Sequence, residues 1–179
     1  LILPPSYSPE KTYPVLYLLH GIGGDHNEWL GGNPVEVIGN LHGAGEAAEM
    51  IVVIPNVRAM KEDAVPQEVY GPVNIAAFDN FINDLRDDLM PFIAANYSIK
   101  TGRENTAIAG LSMGGYGALR YSLVYPELFS GTALLSPAIQ NQEPPETSGA
   151  VQRGSFGDPF DLDLWNAKNY PTAIDSYVL

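Results

Sequence analysis

Four short apolar runs mark the chain, with polar or amphipathic stretches between them. Val15-Leu16-Tyr17-Leu18-Leu19 lies between Pro14 and Gly21. It is too short for a helix and apolar at every position, so it predicts a strand buried on both faces. Ile51-Val52-Val53-Ile54, ended by Pro55, predicts a second strand. Thr106-Ala107-Ile108-Ala109 predicts a third, and Thr132-Ala133-Leu134-Leu135-Ser136 a fourth. Phe78, Phe81, Ile82, Leu85, Leu89, Phe92 and Ile93 recur at helical spacing and predict an amphipathic helix over about 77–96. Pro91 falls inside it and predicts a kink or the end of its regular part.

Asn33-Pro34 reads as a helix N-cap followed by Pro at the first helical position, opening a helix to about Glu49 that Gly39, Gly43 and Gly45 weaken. Residues 56–75, with Pro66, Gly71 and Pro72, predict a long loop. Tyr116 to Tyr125 predicts a helix stopped by Pro126. Strands alternating with helices imply right-handed βαβ units and a parallel sheet with helices on both faces, an α/β fold. Beyond Ser136 the chain turns loop-like, with Pro144, Pro145, Gly149, Gly154 and Gly157 between Gln140 and Gly157. No internal repeat or second domain is visible, and residues 1–179 read as one domain.

Composition narrows the function classes. The 179 residues are 45% hydrophobic, enough for one domain with a substantial core. Nine Lys and Arg against twenty-one Asp and Glu give a net charge of −12. That balance argues against nucleic acid and against an anionic membrane surface, both of which need a basic footprint. A neutral ester meets no such repulsion. The absence of cysteine excludes disulfides, thiolate metal sites and Cys nucleophiles. No apolar run has transmembrane length. The opening Leu1-Ile2-Leu3-Pro4-Pro5 carries no charged signal-peptide region and reads as the middle of a gene product.

The chemistry concentrates at Gly110-Leu111-Ser112-Met113-Gly114-Gly115. Gly-x-Ser-x-Gly between a predicted strand and a predicted helix is the context of a nucleophile elbow. Ser112 would sit at a sharp strand-to-helix turn, with Gly110 and Gly114 leaving room for the neighbouring strand and helix. The first amides of the following helix lack intrahelical partners and face a developing oxyanion. His20-Gly21-Ile22-Gly23-Gly24, at the end of the first strand, is a glycine-rich loop able to aim a second amide at the same point. The expected oxyanion donors are therefore the amides of Ile22 and Met113, each worth roughly 3 kcal/mol in the transition state. The plainer alternatives are two ordinary Gly-rich turns. Gly21 and Gly23 are candidate substrate-contacting positions. Trp29 is either an apolar wall for the substrate or a packing residue. His20 is expected to hydrogen-bond locally and hold the loop rather than act as a base. Asp84, Asp87 and Asp88 read as a solvated helix face, and no metal site is expected.

These residues resemble a known family. Leu3-Pro4-Pro5-Ser6-Tyr7, Tyr17-Leu18-Leu19-His20-Gly21, Asp84-Leu85 with Pro91 and Tyr97, and Ala109 to Gly115 are similar to the putative-esterase family of α/β-hydrolases. That family includes feruloyl and acetylxylan esterases, esterase D type hydrolases and mycolyltransferases. His20 to Gly24 followed by Asn27-Glu28-Trp29 resembles the feruloyl and acetylxylan branch most. The resemblance implies an α/β-hydrolase core, a Ser-Asp-His triad, no cofactor, a small-molecule or polysaccharide ester as substrate, and secretion. It says nothing of oligomeric state.

The sequence departs from that pattern in one respect. The triad order in this fold is Ser, then Asp or Glu, then His, yet the three histidines, His20, His26 and His42, all precede Ser112. The strand expected to carry the acid also has no visible run. Asp158, Asp161, Asp163 and Asp175 follow no buried strand, Leu162 to Tyr170 reads as a lid region, and Leu179 would fall at or just before the start of the missing strand. The core therefore reads as truncated at both ends, with the base and acid outside this segment. The competing functions are acyl transfer on the same fold and a non-catalytic carbohydrate-binding or scaffold role.

Overall fold

The computed structural model describes residues 1–61, 64–138 and 175–178. Five strands form one parallel sheet: β1 Val15–Leu19, β2 Ile51–Val53, β3 Thr106–Leu111, β4 Gly131–Leu135 and β5 Asp175–Val178. Their order is β2-β1-β3-β4-β5. The helices are α1 Pro34–Gly43, α2 Pro72–Asp84, α3 Met90–Asn96 and α4 Met113–Val124. This is the α/β architecture expected, and the four predicted runs are β1 to β4.

Side chains alternate across the sheet. Tyr17, Leu19, Ile108 and Leu134 face the larger core, where Phe78, Phe81, Leu85, Leu119 and Tyr121 from α2, α4 and the turn after α2 meet them. The Tyr121 hydroxyl donates to the Phe78 carbonyl at 2.7 Å and ties α4 to α2. Leu18, Val52, Ile54 and Ala109 form a smaller core on the opposite face, with Trp29 and Ile38 of α1 packed on it. Helices thus lie on both faces. The chain moves one way from β1 to β2 and the other way from β2 through β3 to β4, and right-handed crossovers then place α1 opposite α2 and α4.

Four boundaries differ from expectation. The helix predicted from Asn33 to Glu49 stops at Gly43. Asn33 lies in the left-handed region (φ 50°) and caps nothing with its side chain. No residue of α1 is fully buried, so only the partial packing of Ile38 offsets the backbone entropy of its glycines. The helix predicted from 77 begins at Pro72, inside the presumed loop, because Pro is well suited to the first helical turn. The helical path continues through Pro91, but its regular part ends at Asp84, ahead of the proline. Leu85–Leu89 forms a π-type turn in which the Met90 N–H reaches the Leu85 carbonyl, and α3 follows directly. The wider turn absorbs a residue that brings no N–H of its own. Helix α4 begins at Met113 rather than Tyr116.

The fifth strand corrects the reading of the C-terminal region. Asp175–Val178 pairs in parallel with Gly131–Leu134, so the strand begins four residues before Leu179. Ser176-Tyr177-Val178 is too short to register as an apolar run, and only pairing with β4 defines it. Asp175 opens this strand and so does not stand at its carboxyl end. Asp158, Asp161, Asp163 and the segment Leu162 to Tyr170 lie outside the described residues. Among the described residues no helix is long and apolar enough to cross a membrane.

Candidate active site

Strands β1 and β3 are neighbours, with Leu19 opposite Gly110. The chain leaves β1 toward one edge of the sheet and β3 toward the other. Ligand crevices of open α/β sheets lie at such a switch point, outside the carboxyl ends of the strands. His20-Gly21-Ile22 and Ser112 emerge there side by side. A Cβ built on Gly21 would lie 3.5 Å from the Ser112 Cβ.

Ser112 occupies the turn between β3 and α4 with φ 53° and ψ −114°. A non-glycine residue held there stores about 1–3 kcal/mol. Three hydrogen bonds hold it. Its N–H donates to the Leu135 carbonyl at 3.0 Å, and its carbonyl accepts from Tyr116 at 3.0 Å and from Ala138 at 2.9 Å. Strain at the turn is thus balanced by anchorage to the end of β4. Ser112 is half-buried, and among the described residues no side chain hydrogen-bonds its hydroxyl.

The glycines around it are required by close approach. A Cβ on Gly110 would run into the Gly114 backbone and lie 2.7 Å from the Gly115 nitrogen. One on Gly114 would lie 2.5 Å from the His20 carbonyl oxygen and 2.6 Å from that of Leu19. These partners are backbone atoms, which cannot swing aside. Strand β3, helix α4 and the end of β1 can close on one another only without those side chains.

The Gly21–Ile22 segment is held group by group. The Gly21 N–H donates to a Glu28 carboxylate oxygen at 2.6 Å. The Gly21 carbonyl lies 2.7 Å from His20 Nδ1 and also accepts from the Gly24 N–H at 3.1 Å. The Ile22 carbonyl accepts from Asn74 Nδ2 at 3.3 Å. Among the described residues no acceptor takes the Ile22 N–H. Met113 opens α4, so its amide is one of those a helix leaves without an internal partner. The helix N-terminus adds a partial positive charge of roughly half a unit at the same place.

His20 is fully buried. Its Nε2 accepts the Val57 N–H at 2.9 Å, so the network assigns the ring proton to Nδ1, which donates to Gly21. Burial holds its imidazolium below the ordinary range, and Arg58 nearby adds to the effect. Both ring nitrogens meet backbone groups, Nε2 also lies 3.1 Å from Asn56 Oδ1, and the ring stands edge-on to Phe78 at 5.5 Å. His26 contacts Asn27, and His42 lies 3.8 Å from Glu49. Among the described residues none of the three histidines reaches the Ser112 hydroxyl. Trp29 packs on the smaller core, with its indole nitrogen buried and without a partner among the described residues. Gly23 is exposed, and the space where its Cβ would stand is 3.6 Å from Val69. Among the described residues no group of three or more His, Asp or Glu side chains could hold a metal ion.

The sequence reading missed Glu28, Asn74 and Arg58. Glu28 stands in the Asn27-Glu28-Trp29 stretch, but its return to Gly21 depends on the turn between them. Asn74 falls in the segment predicted as loop. Buried Arg58 donates to the Gly24 carbonyl, and no local pattern marks it.

Fold and site together define an α/β-hydrolase core with a serine elbow at the switch point. The chain belongs to the putative-esterase family, whose family model matches residues 1–177. An endo-1,4-beta-xylanase/feruloyl esterase of Xylanibacter ruminicola is 34% identical over 128 residues, covering 71% of this chain and 17% of the relative. An acetyl esterase of Caldicellulosiruptor saccharolyticus is 33% identical over 125 residues, 69% of this chain and 41% of the relative. The solved CE1 ferulic acid esterase of Anaeromyces mucronatus, in complex with ferulic acid, superposes with a TM-score of 0.70 at 38% identity. That match covers 75% of this chain and 50% of the other. The chain therefore spans half or less of the length of each of these relatives.

Proposed function

We propose that this chain carries the nucleophile and oxyanion hole of a serine carboxylic-ester hydrolase that removes feruloyl or acetyl groups from plant cell-wall polysaccharide. One observation carries the reading: Ser112 is strained at the switch point beside the first amide of α4 and the Ile22 amide, which has no acceptor among the described residues. The Ser112 oxygen attacks the ester carbonyl carbon as its proton passes to a general base. The Ile22 and Met113 amides receive the negative charge on the carbonyl oxygen. The alcohol leaves with that proton, and water then releases the acid from Ser112. None of the three histidines is cast as that base, since His20 is committed to the backbone and among the described residues neither His26 nor His42 reaches Ser112. Exposed Gly23 leaves its side of the site open to the ester, buried Gly21 lets the loop lie against Ser112, and the acidic chain favours a neutral substrate.

Two likenesses support the acyl group: a feruloyl and an acetyl esterase are among the relatives, and a ferulic acid esterase is among the similar solved structures. The test uses the full-length protein with p-nitrophenyl acetate and methyl ferulate. Ser112→Ala is expected to lower kcat at least about a thousandfold. Activity that survives this change sinks the proposal. A fluorophosphonate probe is expected to label the wild type at Ser112, and failure to label would favour a non-catalytic binding role. Faster turnover with a sugar alcohol acceptor than with water would instead identify a transferase.

A further inference from the structure

We propose that Glu28 and Asn74 are positioning residues for the Ile22 amide, each acting through a neighbouring backbone group. This rests on the reading of Ser112 as a nucleophile served by that amide. A trans peptide is planar, so the Ile22 N–H points opposite the Gly21 carbonyl in the same plane. Its direction is set by whatever orients that plane. Gly21 has no Cβ to restrict rotation, and Gly23 and Gly24 follow. Such a loop keeps one orientation only if side chains impose it.

The structure supplies them from separate elements. Glu28 folds back seven positions and accepts the Gly21 N–H at 2.6 Å. A Cβ on Gly24 would stand 2.7 Å from the Glu28 carboxyl carbon, so the loop is moulded around this side chain. Asn74 reaches from the first turn of α2 and is fully buried. Its Nδ2 donates to the Ile22 carbonyl at 3.3 Å and to the Val69 carbonyl at 2.7 Å. Its Oδ1 is buried with no partner among the described residues. A side-chain amide kept there with its acceptor idle is placed for its donors. Between them, Glu28 holds the N–H before the oxyanion peptide and Asn74 holds the carbonyl after it. His20 holds the carbonyl of the peptide itself.

Glu28 also stands close to Ser112. The point where Gly21 would carry a Cβ is 3.5 Å from a Glu28 oxygen and 3.5 Å from the Ser112 Cβ. A positioning role needs only an acceptor for the Gly21 N–H, whereas a role as base needs the carboxylate. Gln provides the first and lacks the second.

The experiment compares Glu28→Ala, Glu28→Gln and Asn74→Ala in the full-length protein. It measures kcat and KM on p-nitrophenyl acetate and inhibition by phenylboronic acid, which forms a tetrahedral adduct with a nucleophilic serine. Loss of an oxyanion donor costs on the order of 100- to 1000-fold in kcat, and misalignment should cost part of that. The two Ala variants are expected to lose about 10- to 100-fold in kcat, with KM within about threefold and boronate inhibition weakened in step. Glu28→Gln is expected to stay within about threefold of wild type. Unchanged kcat in both Ala variants, a change confined to KM, or a Gln variant as impaired as Ala would each overturn the proposal. If Asn74→Ala does not fold, the pair at exposed Glu28 decides. Fluorophosphonate labelling of the wild type separates the two levels. An unlabelled wild type defeats the reading of Ser112, and a labelled wild type with unimpaired Ala variants defeats only the positioning roles.

Discussion

Replacing Ser112 by glycine should stabilise the protein while abolishing its chemistry. The φ of 53° and ψ of −114° at this residue match the first central position of a type II′ turn, where glycine is preferred. A side chain there costs about 2 kcal/mol, the middle of the usual range for such strain. Glycine relieves that cost but gives the unfolded chain extra freedom, worth about 0.7 kcal/mol. The net gain is about 1 kcal/mol. The informative reference is Ser112→Ala rather than wild type, because alanine removes the same hydroxyl and keeps the Cβ. Urea unfolding of the two full-length variants, followed by circular dichroism, should place the Gly midpoint above the Ala midpoint. By thermal scan the gap should be about 2–4 °C if the folding unit holds 150–250 residues. A Gly variant no more stable than the Ala variant would refute the claim that the elbow stores backbone strain.

The other consequences concern packing, pH and a single hydroxyl. Gly114→Ala should cost about 3 kcal/mol or more, since its Cβ would stand 2.5 Å from the His20 carbonyl oxygen. Gly117→Ala should instead gain about 0.5–1 kcal/mol, because it lies inside α4 and its nearest neighbours are 3.5 Å away. Denaturant midpoints of the pair test both signs at once. Burial lowers the proton affinity of His20 in the fold, so the unfolded chain binds more protons as the pH falls. The stabilisation from this group is complete above about pH 6.5 and is lost as the pH falls through the folded value, at up to about 1.4 kcal/mol per unit. A urea series from pH 7.5 to 5 (a range chosen to bracket roughly that value) should show a shallower slope for His20→Gln than for wild type. Tyr121→Phe should cost about 1 kcal/mol in the same assay, because it removes the buried hydrogen bond that this hydroxyl donates to the Phe78 carbonyl of α2 at 2.7 Å.

The parts of the fold that could be read from the chain are those with a local physical cause. Strands β1 to β4 are apolar at nearly every position because the sheet is covered on both faces, and that pattern survives without knowledge of neighbours. The errors arise where tertiary context decides. Pro91 was expected to kink the helix or end its regular part, and that part does end, but already at Asp84, where the π-type turn Leu85–Leu89 begins and carries the chain past the proline. The glycines of α1 end it at Gly43 because no buried face holds its last turns. Strand β5 has too few residues to leave a pattern, and only its register against β4 identifies it.

The same division runs through the site. The elbow at Ser112 is legible because its geometry demands glycine at positions 110 and 114, and a steric demand of that kind is written in the residues themselves. The loop after β1 is legible for the same reason. What orients that loop is not. His20 meets Val57 across 37 positions, and Asn74 meets the Ile22 carbonyl across 52. Neither pairing has a local signature, because the partner in each case is a backbone group that any residue could provide. The glycines let the loop after β1 approach Ser112 closely, and polar side chains hydrogen-bond its backbone groups. A glycine-rich loop in such a sequence therefore implies unseen partners for its carbonyls and amides. In this chain they are His20, Glu28 and Asn74, while among the described residues the Ile22 N–H has no acceptor.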